Sequence, residues 1–328
     1  MAPPIRFGTL GVARITPRAL TRPADYAPEV AVVAVAARDR GRADDFARDE
    51  HIRYVLDDYQ GVIDHERVNA IYNPLVISLH KEWTLRALEA GKHVLCEKSF
   101  ALNEGQARTM ADAAAESGLV LMDAFHYRYH PVFRRAKELI VSGAIGTIEH
   151  IEASFHVPVR DRNDIRMQYP LGGGVTMDIG CYPISWIRHL TDEEPEVTDA
   201  AAVEGPPDID LKLEAHYRFP SGITAATSGD MSPDAKFRAD LTVTGSDGTL
   251  TVNNPLAPQT GHAITTTTAT GTSTETLDRR PTYDYQMDAF IDAVLNGTKP
   301  LTDAEDAVKQ MRVIDACYTA AGLTPRGN

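Results

Sequence analysis

The first apolar run of the chain reads Ile5-Arg6-Phe7-Gly8-Thr9-Leu10-Gly11-Val12-Ala13-Arg14-Ile15-Thr16. This order predicts a strand that enters a turn of small residues and then a helix. Gly11 and Ala13 would let the backbone approach a pyrophosphate, and the helix N-terminus would supply N–H donors and a positive dipole. The stretch departs from the G-x-G-x-x-G pattern, since Ala13 and Thr16 occupy the later glycine positions. On this stretch alone, a plain strand–helix turn is an equally good interpretation.

Short apolar runs alternate with helical patterns through the first third of the chain. Such alternation, with nearly continuous apolar strands, is typical of a parallel sheet covered by helices on both faces. We therefore predict an α/β dinucleotide-binding domain over residues 1–125. Its predicted strands are Ile5–Leu10, Val30–Ala37, Val68–Tyr72, His93–Cys96 and Leu119–Met122, and its predicted helices are Arg42–Asp49, Leu79–Glu89 and Glu104–Glu116.

The pattern changes after residue 125, and residues 126–328 are predicted to form a second α/β domain with an open, mostly antiparallel sheet. The clearest strand is Ile209–Phe219, whose apolar residues alternate on one side. Such a strand leaves one sheet face for a partner, so we predict a homo-oligomer, specifically a dimer, although the polar residues on that face could simply meet water. Two helices are predicted to close the chain, the first ending at Asn296-Gly297 and the second opening with a capping box at Thr302–Glu305.

Composition limits the classes of partner. The 328 residues carry a formal net charge of −13, which argues against general binding to nucleic acid or to anionic membranes. The three cysteines, Cys96, Cys181 and Cys317, are far apart and suggest neither a disulfide framework nor a zinc site. The N-terminus lacks a charged segment followed by an apolar one. We predict a cytoplasmic protein that acts on a small molecule.

The end of the second predicted strand indicates which dinucleotide binds. A carboxylate at this position binds the ribose 2′-OH of NAD, whereas an arginine accommodates the 2′-phosphate of NADP. The strand ends in Ala37-Arg38-Asp39, with the small Ala37 before the arginine. Arg38 therefore favours NADP, while Asp39 as a ribose ligand of NAD remains the alternative.

Two further segments carry a family resemblance. One runs from Tyr72-Asn73-Pro74-Leu75 through His80 to Gly91-Lys92-His93-Val94-Leu95-Cys96-Glu97-Lys98-Ser99. The other is Leu171-Gly172-Gly173-Gly174-Val175-Thr176-Met177-Asp178-Ile179-Gly180-Cys181-Tyr182-Pro183. Together they resemble the glucose–fructose oxidoreductase, inositol dehydrogenase and rhizopine-catabolism (Gfo/Idh/MocA) family, and most of all its dihydrodiol dehydrogenases, xylose dehydrogenases and NADP-dependent sugar ketoreductases.

The resemblance implies a Rossmann domain, a second α/β domain and an NADP-linked (or NAD-linked) reaction in a pocket between them, without a metal ion. It implies catalytic roles for Lys98, Tyr182 and Asp178. His126, Arg166 and Tyr283 fall where this branch lines its substrate pocket. The cofactor residues that it implies, together with those predicted from the first two strands, are Gly8, Leu10, Gly11, Val12, Ala13, Arg14, Ile15, Ala37, Arg38, Tyr72, Asn73, Pro74, Leu75, His80, Glu97 and Lys98.

The chemistry of these residues agrees with oxidation of a carbinol. A tyrosine has a reference pKa of about 10, and a nearby ammonium favours the phenolate. Tyr182 beside Lys98 could thus exchange a proton with a substrate oxygen. Asp178 lies four residues before Tyr182, so a helix would place both on one face. Ser99 departs from the family, which usually has a proline after the lysine, often with a cis bond.

Other interpretations of these residues remain open. Glu97 and Lys98 could be a surface ion pair, and Tyr182 could be a core aromatic residue. His126 and His130 have a spacing seen in metal sites, but Pro131 interrupts it and structural roles are favoured. Two functions therefore stand: an NADP-dependent oxidoreductase acting on a sugar, polyol or dihydrodiol, and a catalytically silent NAD(P)-binding sensor or regulatory protein of the same fold.

Overall fold

The computed structural model describes residues 4–327, which divide into two compact units. The first unit comprises the described residues up to Ala101 together with Gly105–His126 and Tyr283–Val308. The second comprises Leu102–Glu104, Tyr127–Thr282 and the described residues from Lys309 onward. The sequence predicted a division after residue 125 and did not predict that Tyr283–Val308 belongs with the first unit.

The first unit contains a six-stranded parallel sheet in the order β3-β2-β1-β4-β5-β6. This order is that of a Rossmann fold, as predicted. The strands are β1 (Ile5–Leu10), β2 (Val30–Ala36), β3 (Tyr54–Val55), β4 (Ala70–Asn73), β5 (His93–Cys96) and β6 (Leu121–Asp123). The helices between them are α1 (Arg22–Tyr26), which follows a π-helical turn at Pro17–Thr21, α2 (Arg40–Asp49), α3 (Tyr59–Asp64), α4 (Ile77–Glu89) and α5 (Glu104–Ser117).

The second unit is built on an eight-stranded sheet in the order β14-β13-β12-β11-β7-β10-β9-β8, in which only β7 and β10 pair in parallel. Its strands are β7 (Ile148–His156), β8 (Glu196–Glu204), β9 (Asp210–Arg218), β10 (Thr224–Asp230), β11 (Arg238–Gly245), β12 (Gly248–Asn253), β13 (Ala263–Thr268) and β14 (Gly271–Glu275). The other α-helices within residues 4–327 are α6 (Pro131–Val141), α7 (Cys181–Thr191), α8 (Thr282–Asn296) and α9 (Ala304–Ala320). The mostly antiparallel sheet confirms the predicted class.

Hydrogen bonds and ring packing hold Tyr283–Val308 in the first unit. Phe290 of α8 lies against Phe7 of β1, with ring centroids 5.1 Å apart. Thr302 is bonded to the end of β6, since its carbonyl accepts from Asp123 N at 2.9 Å and its Oγ1 donates to Asp123 O at 2.6 Å. The predicted capping role of Thr302 is wrong, because Asp303 Oδ1 accepts from Asp306 N at 2.8 Å instead.

One face of the eight-stranded sheet is covered by α7 and the π-helical turn Thr176–Gly180. The backbone approaches closely here: a Cβ atom on Gly229 of β10 would lie 3.3 Å from Gly180 Cα. Tyr217 of β9 is buried on this face, where its hydroxyl hydrogen-bonds Thr227 Oγ1 at 2.8 Å. From Leu213 to Arg218, the residues of β9 are alternately buried and exposed, which confirms the predicted one-sided strand.

Candidate functional site

The turn after β1 carries unused backbone donors. Gly11 has a φ of +95°, which glycine adopts without steric cost, and its N–H donates to Ala36 O at 2.7 Å. Among residues 4–327, no backbone carbonyl accepts a hydrogen bond from the N–H groups of residues 12–15. These donors precede the helical turn that begins at Pro17. The loop can therefore receive an anion such as a diphosphate.

Gly8 has a role in packing. A Cβ atom on Gly8 would lie 2.3 Å from Val62 Cγ1, so glycine is needed for α3 to pack on β1. Leu10, the last residue of β1, is fully buried. Both residues were predicted to bind the cofactor, and that role stays a prediction.

The two charged residues after β2 differ in what they do. Asp39 is the N-cap of α2, and its Oδ1 accepts from Arg42 N at 3.0 Å. Arg38 is exposed. Burial raises the pKa of the nearby Tyr59 hydroxyl, and the Arg38 charge opposes this effect. The carboxylate is thus engaged in capping a helix while the guanidinium faces solvent. These residues, with the donors of the β1 turn, fit a dinucleotide that carries a 2′-phosphate.

Asn73 organises the loop after β4. Its Nδ2 donates to His80 O at 3.3 Å and to Thr84 Oγ1 at 3.2 Å, while its Oδ1 accepts from Leu75 N at 3.4 Å. The side chain is fully buried. Asn73 therefore shapes the turn that contains Pro74 and Leu75, both half-buried and predicted to lie near the cofactor.

His80 connects the same loop to the segment after Lys98. Its Nε2 lies 2.8 Å from Leu75 O, and its Nδ1 lies 3.0 Å from Ser99 O. Burial lowers the pKa of His80, and the carbonyl oxygens that face its two ring nitrogens oppose this effect. His80 is fully buried, and its ring contacts both loops.

Four predicted site residues meet around Glu97. Tyr72 Oη donates to Glu97 Oε1 at 2.7 Å, and both residues are buried. Burial and then the Glu97 charge raise the pKa of Tyr283. The His126 ring lies on Tyr283, with centroids 4.0 Å apart. The structure thus joins two predicted cofactor residues with two predicted substrate residues that are distant in sequence.

Lys98 is the second residue after β5 and is half-buried. The bond between Lys98 and Ser99 is cis, although no proline follows the lysine. Glu97 is only 9% exposed and accepts a hydrogen bond from Tyr72, so it is a buried residue and not a surface one.

Sequence reasoning missed Asp123, the last residue of β6, which is 1% exposed. Burial raises the pKa of its carboxyl well above the usual range, the nearby Asp306 and Glu97 raise it further, and the Lys98 charge opposes them. No described residue hydrogen-bonds its Oδ1. The position of Asp123 at the carboxyl end of β6 could have indicated a site residue, since ligands bind at that edge of such sheets.

Three charged side chains form a cluster in the second unit. Arg166 donates from Nε and Nη2 to the two carboxylate oxygens of Asp164, each at 2.9 Å, and its Nη1 lies 3.5 Å from Asp178 Oδ2. The side chains of Arg166 and Asp178 remain 30% and 26% exposed. The bonds to Asp164 and the Asp178 charge raise the pKa of Arg166. The structure therefore joins the predicted substrate residue Arg166 to the predicted catalytic residue Asp178.

Tyr182 lies near the start of α7 and is 5% exposed. Its ring makes edge contacts with Phe155 and Tyr127, at centroid distances of 5.8 and 6.1 Å. Asp178 belongs to the π-helical turn before α7, so the expected face of a regular α-helix shared by the two residues is not present. Burial among rings agrees with a core aromatic residue, and a role in proton transfer stays a prediction.

His130 has the structural role that was favoured. Its Nδ1 accepts from Val132 N at 3.2 Å at the start of α6, and burial lowers its pKa to about 4.

Within the described part of the chain, no group of three or more His, Cys, Asp or Glu side chains is placed to hold a metal ion. Over residues 4–327, no helix combines the length and apolar character needed to cross a membrane. Cys96, Cys181 and Cys317 are buried free thiols.

Comparison with known proteins extends over both units. A model of the oxidoreductase family with an NAD-binding Rossmann fold matches residues 5–125, and a model of the GFO/IDH/MocA C-terminal domain matches residues 133–251. The D-xylose 1-dehydrogenase (NADP(+)) 2 of Haloferax volcanii is 32% identical over 96% of this chain and 97% of its own length. The dTDP-3,4-didehydro-2,6-dideoxy-alpha-D-glucose 3-reductase of Actinomadura kijaniata is 32% identical over 98% of this chain and 96% of its own.

A solved structure is also similar along nearly the whole chain. The crystal structure of a 3-ketoreductase from Actinomadura kijaniata, in complex with NADP and TDP-benzene, matches with a TM-score of 0.91 and 31% identity. The match covers 97% of this chain and 98% of the ketoreductase. With the two domain models, these likenesses show that the chain belongs to the Gfo/Idh/MocA family of oxidoreductases.

Proposed function

We propose that this oxidoreductase is an NADP-dependent dehydrogenase or reductase that acts on the carbinol or carbonyl group of a sugar, polyol or dihydrodiol. The observation that supports the choice of NADP is the difference between the two charged residues after β2: Asp39 caps α2, whereas Arg38 faces solvent. The names of relatives in Haloferax and Actinomadura, an NADP-dependent xylose dehydrogenase and a ketosugar reductase, support the substrate class.

The bound nicotinamide would supply the hydride chemistry. In the proposed mechanism, the N–H groups of residues 12–15 bind the diphosphate, and the Arg38 guanidinium binds the 2′-phosphate. The Tyr182 hydroxyl exchanges a proton with the substrate oxygen, and the Lys98 ammonium favours the phenolate form. Asp178, oriented by Arg166, accepts a hydrogen bond from a neighbouring substrate hydroxyl.

The test of the proposed reaction is a screen of sugars, polyols and diols with NADP and with NAD, followed at the absorbance of the reduced nicotinamide. We expect turnover of at least one member with NADP. Tight NADP binding without turnover of any substrate in either direction would contradict the proposal and favour the sensor function.

Replacing Arg38 with alanine is expected to weaken NADP binding about tenfold or more while leaving NAD binding nearly unchanged. The reason is that a charge-assisted hydrogen bond contributes roughly 1.5–3 kcal/mol. Arg40→Ala is the matched control, since Arg40 is an exposed arginine two residues away that pairs with Asp44 and Asp57. Calorimetric titration of both cofactors measures the effect. Equal NADP affinities of wild type and Arg38→Ala would refute the assignment.

We also propose a cytoplasmic homodimer joined through the open face of the eight-stranded sheet. The support is the outer face of β9, where Glu214, His216 and Arg218 are exposed in the single chain. A stable interface buries about 1,600 Å² in total, an area that such a sheet face can provide. Light scattering at micromolar concentration should give twice the mass of the chain, 35.9 kDa. A monomer under these conditions would rule the dimer out.

A further inference from the structure

The second unit contains a fully buried ion pair outside the predicted site residues. Arg326, near the C-terminus, is 2% exposed, and Asp210, the first residue of β9, is 0% exposed. Arg326 Nη2 lies 2.5 Å from Asp210 Oδ1. Burying two charges has a large desolvation cost, so a pair of this kind is weak evidence for stability alone. Its other contacts indicate what the pair does.

Arg326 is held on several sides. Its Nε donates to Gly173 O at 2.8 Å. Its guanidinium carbon lies 4.6 Å from the ring centre of Tyr169 and 4.5 Å from that of Tyr318. The planar group is therefore fixed between two rings and directed at one carbonyl of the glycine segment Gly172–Gly174.

Asp210 binds the residue on the other side of this segment. Its Oδ2 accepts from Thr176 N at 2.9 Å and from Thr176 Oγ1 at 2.7 Å, and its Oδ1 accepts from Tyr318 Oη at 3.2 Å. The ion pair thus clamps the backbone at Gly173 through the arginine and at Thr176 through the carboxylate. These two points bracket Gly174, whose φ is +130°.

The clamped segment in turn positions the charged cluster. Gly174 N donates to Arg166 O at 2.9 Å, and Asp178 N donates to Gly174 O at 3.1 Å. The same glycine therefore bonds the backbone of both Arg166 and Asp178, the residues whose side chains meet at 3.5 Å. A shift of Gly174 would separate them.

We propose that Arg326 and Asp210 are positioning residues that set the geometry of Arg166 and Asp178 by clamping the glycine segment. The inference rests on the proposed function for its consequence in catalysis, but the clamp itself can be observed without turnover. The turn that contains Arg326 would then help to position the residues proposed to bind the substrate.

The test compares Arg326→Ala with wild type by hydrogen–deuterium exchange resolved to peptides. We expect exchange over residues 173–178 to rise roughly tenfold to a hundredfold, the scale of a lost charge-assisted bond. Guanidinium ion, added far below denaturing concentrations, should occupy the vacated space and restore protection. Arg135→Ala is the control, because it removes a two-bond arginine pair with Glu275 elsewhere in the same unit.

Kinetics provides the second readout. Arg326→Ala should lower kcat on an identified substrate by tenfold or more, guanidinium should restore it, and the affinity for NADP should not change. If Arg326→Ala fails to fold, Arg326→Lys keeps the charge, loses the planar fork and should show the same effects in smaller size.

Exchange that rises evenly through the second unit without rescue by guanidinium would overturn the clamp and leave the pair as a structural one. Local exchange that rises and is rescued, in a protein without turnover on any substrate, would support the clamp while contradicting the proposed function. Wild-type kcat in Arg326→Ala would refute the role in catalysis.

Discussion

The Tyr182→Phe enzyme is expected to retain NADP binding and to lose kcat by about 10²–10⁴, the usual contribution of a positioned acid–base group. The substitution removes only the hydroxyl, and the buried ring can keep its edge contacts with Phe155 and Tyr127. Steady-state kinetics on one identified substrate, with cofactor affinity measured separately, gives the result.

Lys98→Ala should lose at least as much activity, because it removes the charge that favours the phenolate. The double variant should be little worse than either single one, since residues that act together on one step are not additive. Tyr127→Phe is the matched control: it removes another buried hydroxyl in the same ring cluster, one bonded to Ser185 at 2.7 Å, and should keep kcat within a few-fold. Near-wild-type turnover in Tyr182→Phe would mean that another group carries the proton.

Gly174→Ala is expected to lower the free energy of unfolding by about 2–6 kcal/mol. A φ of +130° is unfavourable for any residue with a Cβ atom, which accounts for roughly 1–3 kcal/mol. The added Cβ would also lie 2.1 Å from Asp210 Oδ1 and 2.6 Å from Arg326 Nη2, two buried groups held by their own bonds, and overpacking costs about 1–3 kcal/mol more.

The matched control for this prediction is Gly222→Ala. Gly222 has a φ of +92°, but a Cβ atom added to it would have no neighbouring atom within 4 Å, so only the backbone cost applies. Thermal unfolding of both variants separates the two effects, because about 1 kcal/mol corresponds to roughly 2–4 °C for domains of 150–250 residues. Equal losses for the two variants would show that the ion pair yields to the methyl group.

Local patterns predicted the class of each sheet for identifiable reasons. Continuous apolar strands between helices are typical of a parallel sheet covered on both faces, and the one-sided alternation of β9 indicates one covered and one exposed face. The position of Gly297 after a helix was equally readable, and this glycine has a positive φ. Each of these signals depends on residues close together in the chain.

Local patterns also led to wrong predictions. Thr302 looked like a helix cap, but its hydroxyl is bonded to Asp123, which no pattern places beside it. Asp178 and Tyr182 have helical spacing, and only the structure reveals a π-helical turn between them.

By itself, the sequence determined a Rossmann domain followed by a second sheet, a family resemblance, and a set of residues at the carboxyl ends of strands. These follow from periodicity and motif, which are local in the chain. Tertiary structure alone decided that Tyr283 meets His126 and that Arg326 reaches Asp210. Burial of polar groups forces such pairings, because a buried charge or hydroxyl must find a partner, and the partner is selected by proximity in space and not by distance along the chain.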